Sequence, residues 1–301
     1  MRRIAFVFSG QGDQFPGMGR DIYEKYPEAK NVFDTLEDLR PGLKELCFEG
    51  SSEELKETKN TQPALYALES AYLEILKNND IFPSAAAGFS LGEVAAAGCS
   101  GVFSLKDGFE IVSQRGRFMS ESADENTFMA AVLKLSEEKV DELCGHFSGI
   151  YPVNFNCPGQ ISVSGILDSR DEFLKEVKEA GGRAVPIKVK GAFHSPFMDE
   201  ASEKFGEELK KFTLSQPSIP LYSNLTGEIY KEDILSQLKN QINHPVRWEK
   251  LIRNMISDGI DTFIEIGPGK TLTNMIKKID KEVNAYSVSD LGEILEKVKT
   301  C

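Results

Sequence analysis

The chain has 301 residues, which is enough for one or two domains with a sizeable core. Its hydrophobic content of 41% is ordinary for a globular protein, and its 35 basic and 47 acidic residues give a net charge of −12. Because nucleic acid and anionic membranes both attract an excess of Lys and Arg, this acidic balance disfavours either of them as a general partner.

The N-terminal segment lacks the pattern of a signal peptide or a membrane span. Its apolar run covers five residues, Ile4 to Phe8, and is followed by a loop that contains Gly10 and Gly12. The five cysteines are widely spaced and include no C-x-x-C pair, so a disulfide framework or a zinc site is not expected. We therefore expect a reduced, cytoplasmic protein with no metal site and no membrane or nucleic-acid partner.

The first third of the chain predicts alternating strands and helices. The run Ile4–Phe8 is continuously apolar, which is typical of a strand buried on both faces. Helical spacing is found over residues 22–39, 63–76 and 107–119, and Ser104 is a candidate cap for the last of these helices. This alternation favours a mostly parallel sheet covered by helices.

Residues 88–92 read Gly-Phe-Ser-Leu-Gly, a G-x-S-x-G pattern that is typical of a nucleophile elbow. Small residues precede it and predict a short buried strand, and the alanine-rich stretch 93–97 after it predicts a helix. Strand, turn and helix is the order that an elbow requires, so Ser90 is a candidate nucleophile. The alternative interpretation is a serine that caps the helix.

The pattern changes near residue 121. Strands are predicted at 128–133, 153–157, 160–165 and 184–189, with helices at 136–144 and 170–180 between them. The order βαββαβ is ferredoxin-like and predicts a subdomain over residues 123–195, inserted in a larger α/β body formed by 1–122 and 196–301.

The α/β alternation returns after this insert. Helices are predicted at 198–211, 248–258 and 291–299, and strands at 219–223 and 262–266. The last of these strands ends at the Gly-Pro-Gly turn 267–269.

A serine nucleophile needs a general base, most often a histidine, and the chain has three histidines. His146 ends a predicted helix and His244 precedes a proline, and both positions suit structural roles. His194 lies between a predicted strand and a predicted helix at the edge of the insert, and sites form in clefts between domains. We therefore favour His194 as the base.

Two arginines lie on the predicted helix 107–119. An exposed arginine in an ion pair is the ordinary interpretation, and a guanidinium that grips a carboxylate is the functional one. Only one of the pair can face a cleft, and Gly116 leaves room beside Arg115, which favours Arg115 over Arg117.

The loop Gly10-Gln11-Gly12 follows the first predicted strand. A dinucleotide fingerprint would need a third glycine where Phe15 stands, so that interpretation is disfavoured. Backbone N–H groups at the end of a strand can instead stabilise an oxyanion, and a plain tight turn is the alternative.

Five motifs in this order resemble those of the malonyl-CoA:acyl-carrier-protein transacylase family, which includes acyltransferases of fatty acid and polyketide synthesis. They are Gly10-Gln11-Gly12-x-Gln14, Gly88-x-Ser90-x-Gly92-Glu93, Gln114-Arg115-Gly116, Ala192-Phe193-His194-Ser195 and Glu265-Ile266-Gly267-Pro268-Gly269. The resemblance runs from residue 6 to about residue 272 and implies an α/β-hydrolase-like body with an inserted ferredoxin-like subdomain.

The resemblance also implies a mechanism. Ser90 would take the malonyl group from malonyl-CoA and pass it to the phosphopantetheine thiol of acyl carrier protein, with His194 as the base. No cofactor is implied beyond the coenzyme A thioester that serves as substrate, and we expect a monomer. The resemblance implies the remaining roles as follows: an oxyanion hole from the backbone N–H groups of Gln11 and Leu91, Arg115 for the malonyl carboxylate, the Gln241 carbonyl to orient the histidine, and an acyl pocket with Phe193 and Phe89.

One position departs from the family pattern. The family usually carries histidine directly before the serine, and this chain has Phe89. Phe193 and Leu91 resemble the malonyl-selective pattern. Because carrier proteins of this kind are acidic, docking would need a local basic surface, for which Lys188 and Lys190 are candidates.

Two other functions remain open from the sequence. The same serine and histidine could hydrolyse acyl groups from carrier protein or coenzyme A, although a hydrolase of simple acyl chains has no use for the buried cation expected at Arg115. A non-catalytic binding module is favoured only by Phe89.

Overall fold

The first strand, β1 (Ile4–Phe8), is buried at every position after Ile4. In this computed structural model, which describes residues 3–231 and 233–297, β1 pairs in parallel with β2 (Ala85–Gly88). Both strands are made of apolar or small residues because helices cover the two faces of the sheet. The strands predicted at these two places are therefore present.

Between residues 3 and 122, the part of the first segment that the structure describes, the body has seven α-helices. They are α1 (Arg20–Lys25), α2 (Pro27–Leu39), α3 (Leu43–Glu49), α4 (Ser52–Lys56), α5 (Thr58–Asn78), α6 (Gly92–Cys99) and α7 (Leu105–Glu121). The helix predicted over 22–39 is in fact two helices, because Tyr26 is extended before Pro27, as a residue preceding proline prefers. Helix α7 is capped as expected, with the Ser104 hydroxyl accepting from the Asp107 N–H.

The insert has four strands and two α-helices in the order predicted from the sequence. They are β3 (Thr127–Leu133), α8 (Glu137–Gly145), β4 (Ile150–Cys157), β5 (Gln160–Ile166), α9 (Arg170–Glu179) and β6 (Arg183–Pro186). The strands form one antiparallel sheet in the order β4-β5-β3-β6. The last strand ends at Pro186, earlier than predicted. The boundaries at 122/123 and 195/196 stay a prediction.

The chain then completes the first sheet. The elements are α10 (Asp199–Leu209), α11 (Ile234–Asn240), α12 (Trp248–Ser257), β7 (Thr262–Ile266), α13 (Thr271–Ile279), β8 (Asn284–Ser287) and α14 (Leu291–Lys297). The strand predicted at 219–223 is reduced to two isolated bridges, Leu221 with Ala86 and Tyr222 with Ile229. The predicted helix 291–299 is present as α14, and the part of the prediction that falls on residues 298–299 lies outside the described residues.

The body sheet has the order β2-β1-β7-β8 with all strands parallel. The α/β class, with a parallel sheet and a separate antiparallel sheet, is confirmed. Because β1, β2 and β7 run in the same direction, the Gly10–Gly12 loop, the turn at Ser90 and the Gly-Pro-Gly turn meet at one edge of the sheet. Within the described residues, no helix is both long and apolar enough to span a bilayer.

Candidate active site

The turn between β2 and α6 holds Ser90 in a left-handed conformation, with φ of 53°. Glycines on either side make this turn possible. A Cβ atom on Gly88 would overlap the Gly92 carbonyl group, and one on Gly92 would overlap the Phe8 carbonyl oxygen. Because glycine has no such atom, α6 packs directly on the strands, and the half-buried Ser90 lies at the ends of the strands.

A hydrogen-bonded chain connects the serine to a backbone carbonyl. Ser90 Oγ lies 2.7 Å from His194 Nε2, and His194 Nδ1 lies 2.9 Å from the Gln241 carbonyl oxygen. A carbonyl oxygen only accepts, so Nδ1 carries the proton and Nε2 is free to accept the serine proton. The arrangement gives a base oriented by a peptide group where other serine enzymes use a carboxylate.

The environment keeps this imidazole neutral. His194 is 3% exposed, and its burial, together with the positive charge of Arg115, lowers the pKa of His194 to about 4. Near pH 7 the ring is therefore in the form that accepts a proton.

Arg115 lies beside the nucleophile, on α7. Its Nη1 donates to Gln62 Oε1 at 2.9 Å and its Nη2 to Gln241 Oε1 at 2.7 Å, and Nη2 also lies 3.4 Å from Ser90 Oγ. Burial lowers the pKa of Arg115 to about 10, so the group stays cationic near neutrality. Arg117 is exposed and forms an ion pair with Glu121. The buried arginine is thus the one that sequence reasoning favoured.

A cavity of about 120 Å³, here named the acyl cavity, opens above Ser90. Gln11 and Leu91 both line it, and within the described residues their backbone N–H groups have no hydrogen-bond acceptor. The other walls are largely apolar and include Phe193 and Met129. The geometry can bind a small acyl group with its carbonyl oxygen near two unpaired donors.

Phe89 lines both this cavity and a second one of about 270 Å³, which is also lined by Asn154 and Asn156. The Phe89 ring packs edge-on against Trp248, with centroids 5.5 Å apart. Phe89 is therefore both a wall of the acyl cavity and part of the aromatic packing below it.

The other candidates lie away from the nucleophile. His146 is exposed and contacts Glu176, and His244 is exposed beside Asn243. Lys188 and Lys190 are exposed on the segment after β6, not on the strand itself, and Lys190 lies 3.4 Å from Glu125.

Three residues at the site were missed by sequence reasoning, or were given no role. Gln62 is buried on α5, one position before the start of the helix predicted over residues 63–76. Asn224 lies in a loop, and its Oδ1 accepts the Ser90 N–H at 2.7 Å. Glu93 was noted only as part of a motif. No residue pattern marks these positions, because their partners come from segments far away along the chain.

The comparisons with known proteins agree with this geometry. The profile of the family described as acyl transferase domain matches residues 5–296. The chain belongs to this acyltransferase family. A malonyl CoA-acyl carrier protein transacylase of Bacillus subtilis strain 168 is 41% identical over 300 residues, covering 96% of this chain and 94% of the relative.

Solved structures of acyltransferases have the same fold. A malonyl CoA-acyl carrier protein transacylase from Clostridium perfringens superposes with a TM-score of 0.96 at 37% identity, covering 99% of this chain and 97% of that one. A structure of a type II PKS acyl-carrier protein in complex with its malonyl-transacylase superposes with a TM-score of 0.93 at 32% identity, covering 97% and 99%. The family predicted from five motifs is therefore confirmed.

Proposed function

We propose that this protein transfers the malonyl group of malonyl-CoA to the phosphopantetheine thiol of acyl carrier protein through a malonyl ester on Ser90. The observation that carries the proposal is the position of the Ser90 hydroxyl, 2.7 Å from a neutral imidazole nitrogen and 3.4 Å from the buried guanidinium of Arg115. A base and a carboxylate-binding group thus meet at one nucleophile. Relatives named malonyl CoA-acyl carrier protein transacylase support the same reaction.

The first half of the reaction acylates the serine. Ser90 Oγ attacks the thioester carbonyl carbon while His194 Nε2 takes the hydroxyl proton. The carbonyl oxygen becomes an oxyanion, for which we assign the N–H groups of Gln11 and Leu91 as donors, and one such donor is worth about 3 kcal/mol. The C–S bond then breaks, and the coenzyme A sulfur leaves with the proton held by His194.

Arg115 selects the acyl group. A malonyl carboxylate buried without a partner would be strongly disfavoured, and a planar guanidinium can bind it through two hydrogen bonds. Gln62 and Gln241 hold the guanidinium through their side-chain oxygens and contribute no charge of their own. The cation thus remains available to an acid group on the substrate.

The second half of the reaction runs the same steps in reverse. The carrier thiol gives its proton to His194 and its sulfur attacks the malonyl ester, which releases Ser90 with the proton restored. Phe193 and Phe89 make the acyl cavity apolar, which helps to exclude water as a competing acceptor.

Several properties of the chain remain predictions. We propose that the reaction needs no cofactor beyond the thioester substrate and that the protein acts as a monomer, since one chain supplies every group named above. The cytoplasmic location expected from the sequence also stays a prediction. Hydrolysis by the same pair of residues is not proposed, because a buried cation does not serve the release of simple acyl chains.

Intact-mass measurement tests the proposal directly. Incubation with malonyl-CoA should add one malonyl unit to the protein, and later addition of phosphopantetheinylated carrier protein should move that unit to the carrier. Ser90→Ala should abolish the adduct. The control Ser113→Ala, which changes a half-buried serine bonded to a helix carbonyl on α7, should keep it. Free malonate without malonyl-carrier would replace the proposal by the hydrolase reading.

A further inference from the structure

A buried protein carboxylate lies under the turn that holds Ser90, and it has no role in the acyl-transfer steps proposed for Ser90 and His194. Glu93, in the first turn of α6, is fully buried. Its Oε1 accepts the Asn224 N–H at 3.0 Å and the Tyr230 hydroxyl at 2.7 Å, while its Oε2 has no hydrogen-bond partner within the described residues. A buried carboxylate is costly, and one that is only half satisfied needs a specific reason.

Asn224 connects this carboxylate to the nucleophile. The backbone N–H of Asn224 is bound by Glu93, and its side chain binds both sides of the elbow. Oδ1 accepts the Ser90 N–H at 2.7 Å, and Nδ2 donates to the Gly88 carbonyl oxygen at 2.6 Å. Since Ser90 has a strained φ of 53°, these bonds help to hold the turn in place.

Glu93 also balances the charge of Arg115. Within the described part of the chain, Arg115 forms no ion pair, and its hydrogen-bonded side-chain partners are all neutral: the amides of Gln62 and Gln241 and the Ser90 hydroxyl. The negative charge of Glu93 is the one whose field opposes the loss of the Arg115 proton. The compensating charge thus lies close enough to act electrostatically without occupying the guanidinium.

We propose that Glu93 is a positioning residue for acyl transfer, whose buried carboxylate anchors Asn224 beneath the Ser90 turn and offsets the positive charge of Arg115 when His194 becomes an imidazolium. The inference rests on the proposed function. It accounts for a buried carboxylate held out of contact with the cation that it balances.

The charge of Glu93 should therefore affect the chemical step. An imidazolium next to an unbalanced guanidinium is disfavoured by repulsion, so proton transfer to His194 is easier when Glu93 is ionised. Ionisation also strengthens the hydrogen bonds from Asn224 and Tyr230. Neutralising Glu93 should slow acylation, and it should not weaken malonyl binding, because the guanidinium then has less competing negative charge.

The groups that face Glu93 do not change charge in the pH range in which Glu93 does. They are Tyr230, Asn224, Gln241 and Arg115. Burial raises the pKa of Glu93 to about 7, while Arg115 loses its proton only at about 10 and burial raises the pKa of Tyr230 well above its usual 10. Among these groups, Glu93 alone changes charge near neutral pH.

The decisive experiment is single-turnover malonylation of Ser90 by malonyl-CoA between about pH 5.5 and 8.5, followed by mass. The wild-type rate constant should fall as the pH drops through about 7. Glu93→Gln keeps the shape and an acceptor for Asn224 but removes the charge. It should acylate about tenfold more slowly at high pH, lose the inflection, and show no rise in the half-saturating malonyl-CoA concentration.

A second variant keeps the proposal testable if Glu93→Gln does not fold. Tyr230→Phe leaves the carboxylate but removes a donor to its ionised form, so the inflection should move to higher pH. Tyr222→Phe, whose hydroxyl binds Asp258, is the matched control and should keep the wild-type profile. A wild-type rate or inflection in Glu93→Gln, or an unmoved inflection in Tyr230→Phe, overturns the inference. A wild-type protein that forms no Ser90 adduct instead overturns the proposed function.

Discussion

Arg115 and Arg117 lie two residues apart on the same helix and occupy opposite environments. Arg115 is 1% exposed and held by two amide oxygens next to the nucleophile, whereas the Arg117 side chain is 52% exposed and pairs with Glu121. Exposed ion pairs contribute little, because water and salt screen them. The two arginines therefore provide a matched test of whether a buried cation selects the acyl group.

Arg115→Ala should lower kcat/KM for malonyl-CoA by about 100-fold or more, the usual effect of removing one partner of a buried charge pair. Acetyl-CoA carries no carboxylate, so its smaller rate should change much less, and the ratio of acetyl to malonyl transfer should rise. Transfer to carrier protein, measured by mass with each thioester, gives both values. Arg117→Ala should leave both unchanged. Equal losses for the two thioesters in Arg115→Ala would contradict the selective role.

Some of the site residues could be predicted from the sequence, and others could not. Ser90 was found because the elbow needs a local pattern of glycines that survives in one pentapeptide. His194 was favoured because the chain has few histidines and this one follows the insert. Gln62 and Asn224 were not found, since a hydrogen-bonding amide leaves no pattern in the sequence until the fold has placed its partner.

Helix α6 begins in direct contact with the strand ends beneath it. Gly92, the first residue of α6, packs on the carbonyl oxygens of Phe8 and Ser9 at the end of β1, and Gly88 packs on Gly92 itself. The helix axis, and with it the serine, cannot approach the strand ends if either glycine acquires a side chain.

Gly92→Ala should therefore destabilise the protein by about 3 kcal/mol or more, because the backbone atoms that meet the new Cβ cannot turn away as a side chain can. Gly292→Ala is the control, since Gly292 is exposed on α14 and its new Cβ would have no neighbour within 4 Å. It should raise stability by roughly 0.5–1 kcal/mol. Urea unfolding followed by circular dichroism compares the two, and equal midpoints would exclude the close approach as a constraint.

Long elements with a regular apolar period were predicted well, and short ones were not. Strands β3, β4 and β5 and helix α7 appear where the pattern indicates them, whereas β6 ends early at Pro186. Helices α3 and α4 are too short to show a period, and β8 has one exposed end, so neither composition nor alternation marks them. The predicted strand 219–223 is reduced to two isolated bridges, because Leu221 meets β2 only at Ala86 and Tyr222 pairs with Ile229.

At the scale of the whole molecule, the surface charge near the active site differs in sign from the net charge of the protein. The protein carries a net charge of −12, yet the segment that leads from the insert to His194 presents two lysines to solvent. Along it, Ile187 and Val189 line the acyl cavity, while Lys188 and Lys190, which alternate with them, are exposed. An acidic carrier protein would be repelled by most of the surface and attracted at this place.

Reversing these charges should separate the two half-reactions. Lys188→Glu with Lys190→Glu should raise the KM for carrier protein about tenfold, because encounter between like-charged surfaces is slowed, and leave malonylation of Ser90 by malonyl-CoA unchanged. The difference in carrier-protein KM between the variant and the wild type should become smaller as salt is added, since the Debye length falls from about 10 Å at 0.1 M to about 3 Å at 1 M. Lys210→Glu with Lys211→Glu, at the far end of α10, makes the same change in net charge. If that control raises the carrier KM equally, overall charge and not a local surface governs docking; if malonylation of Ser90 falls as well, the lysines act on the site itself.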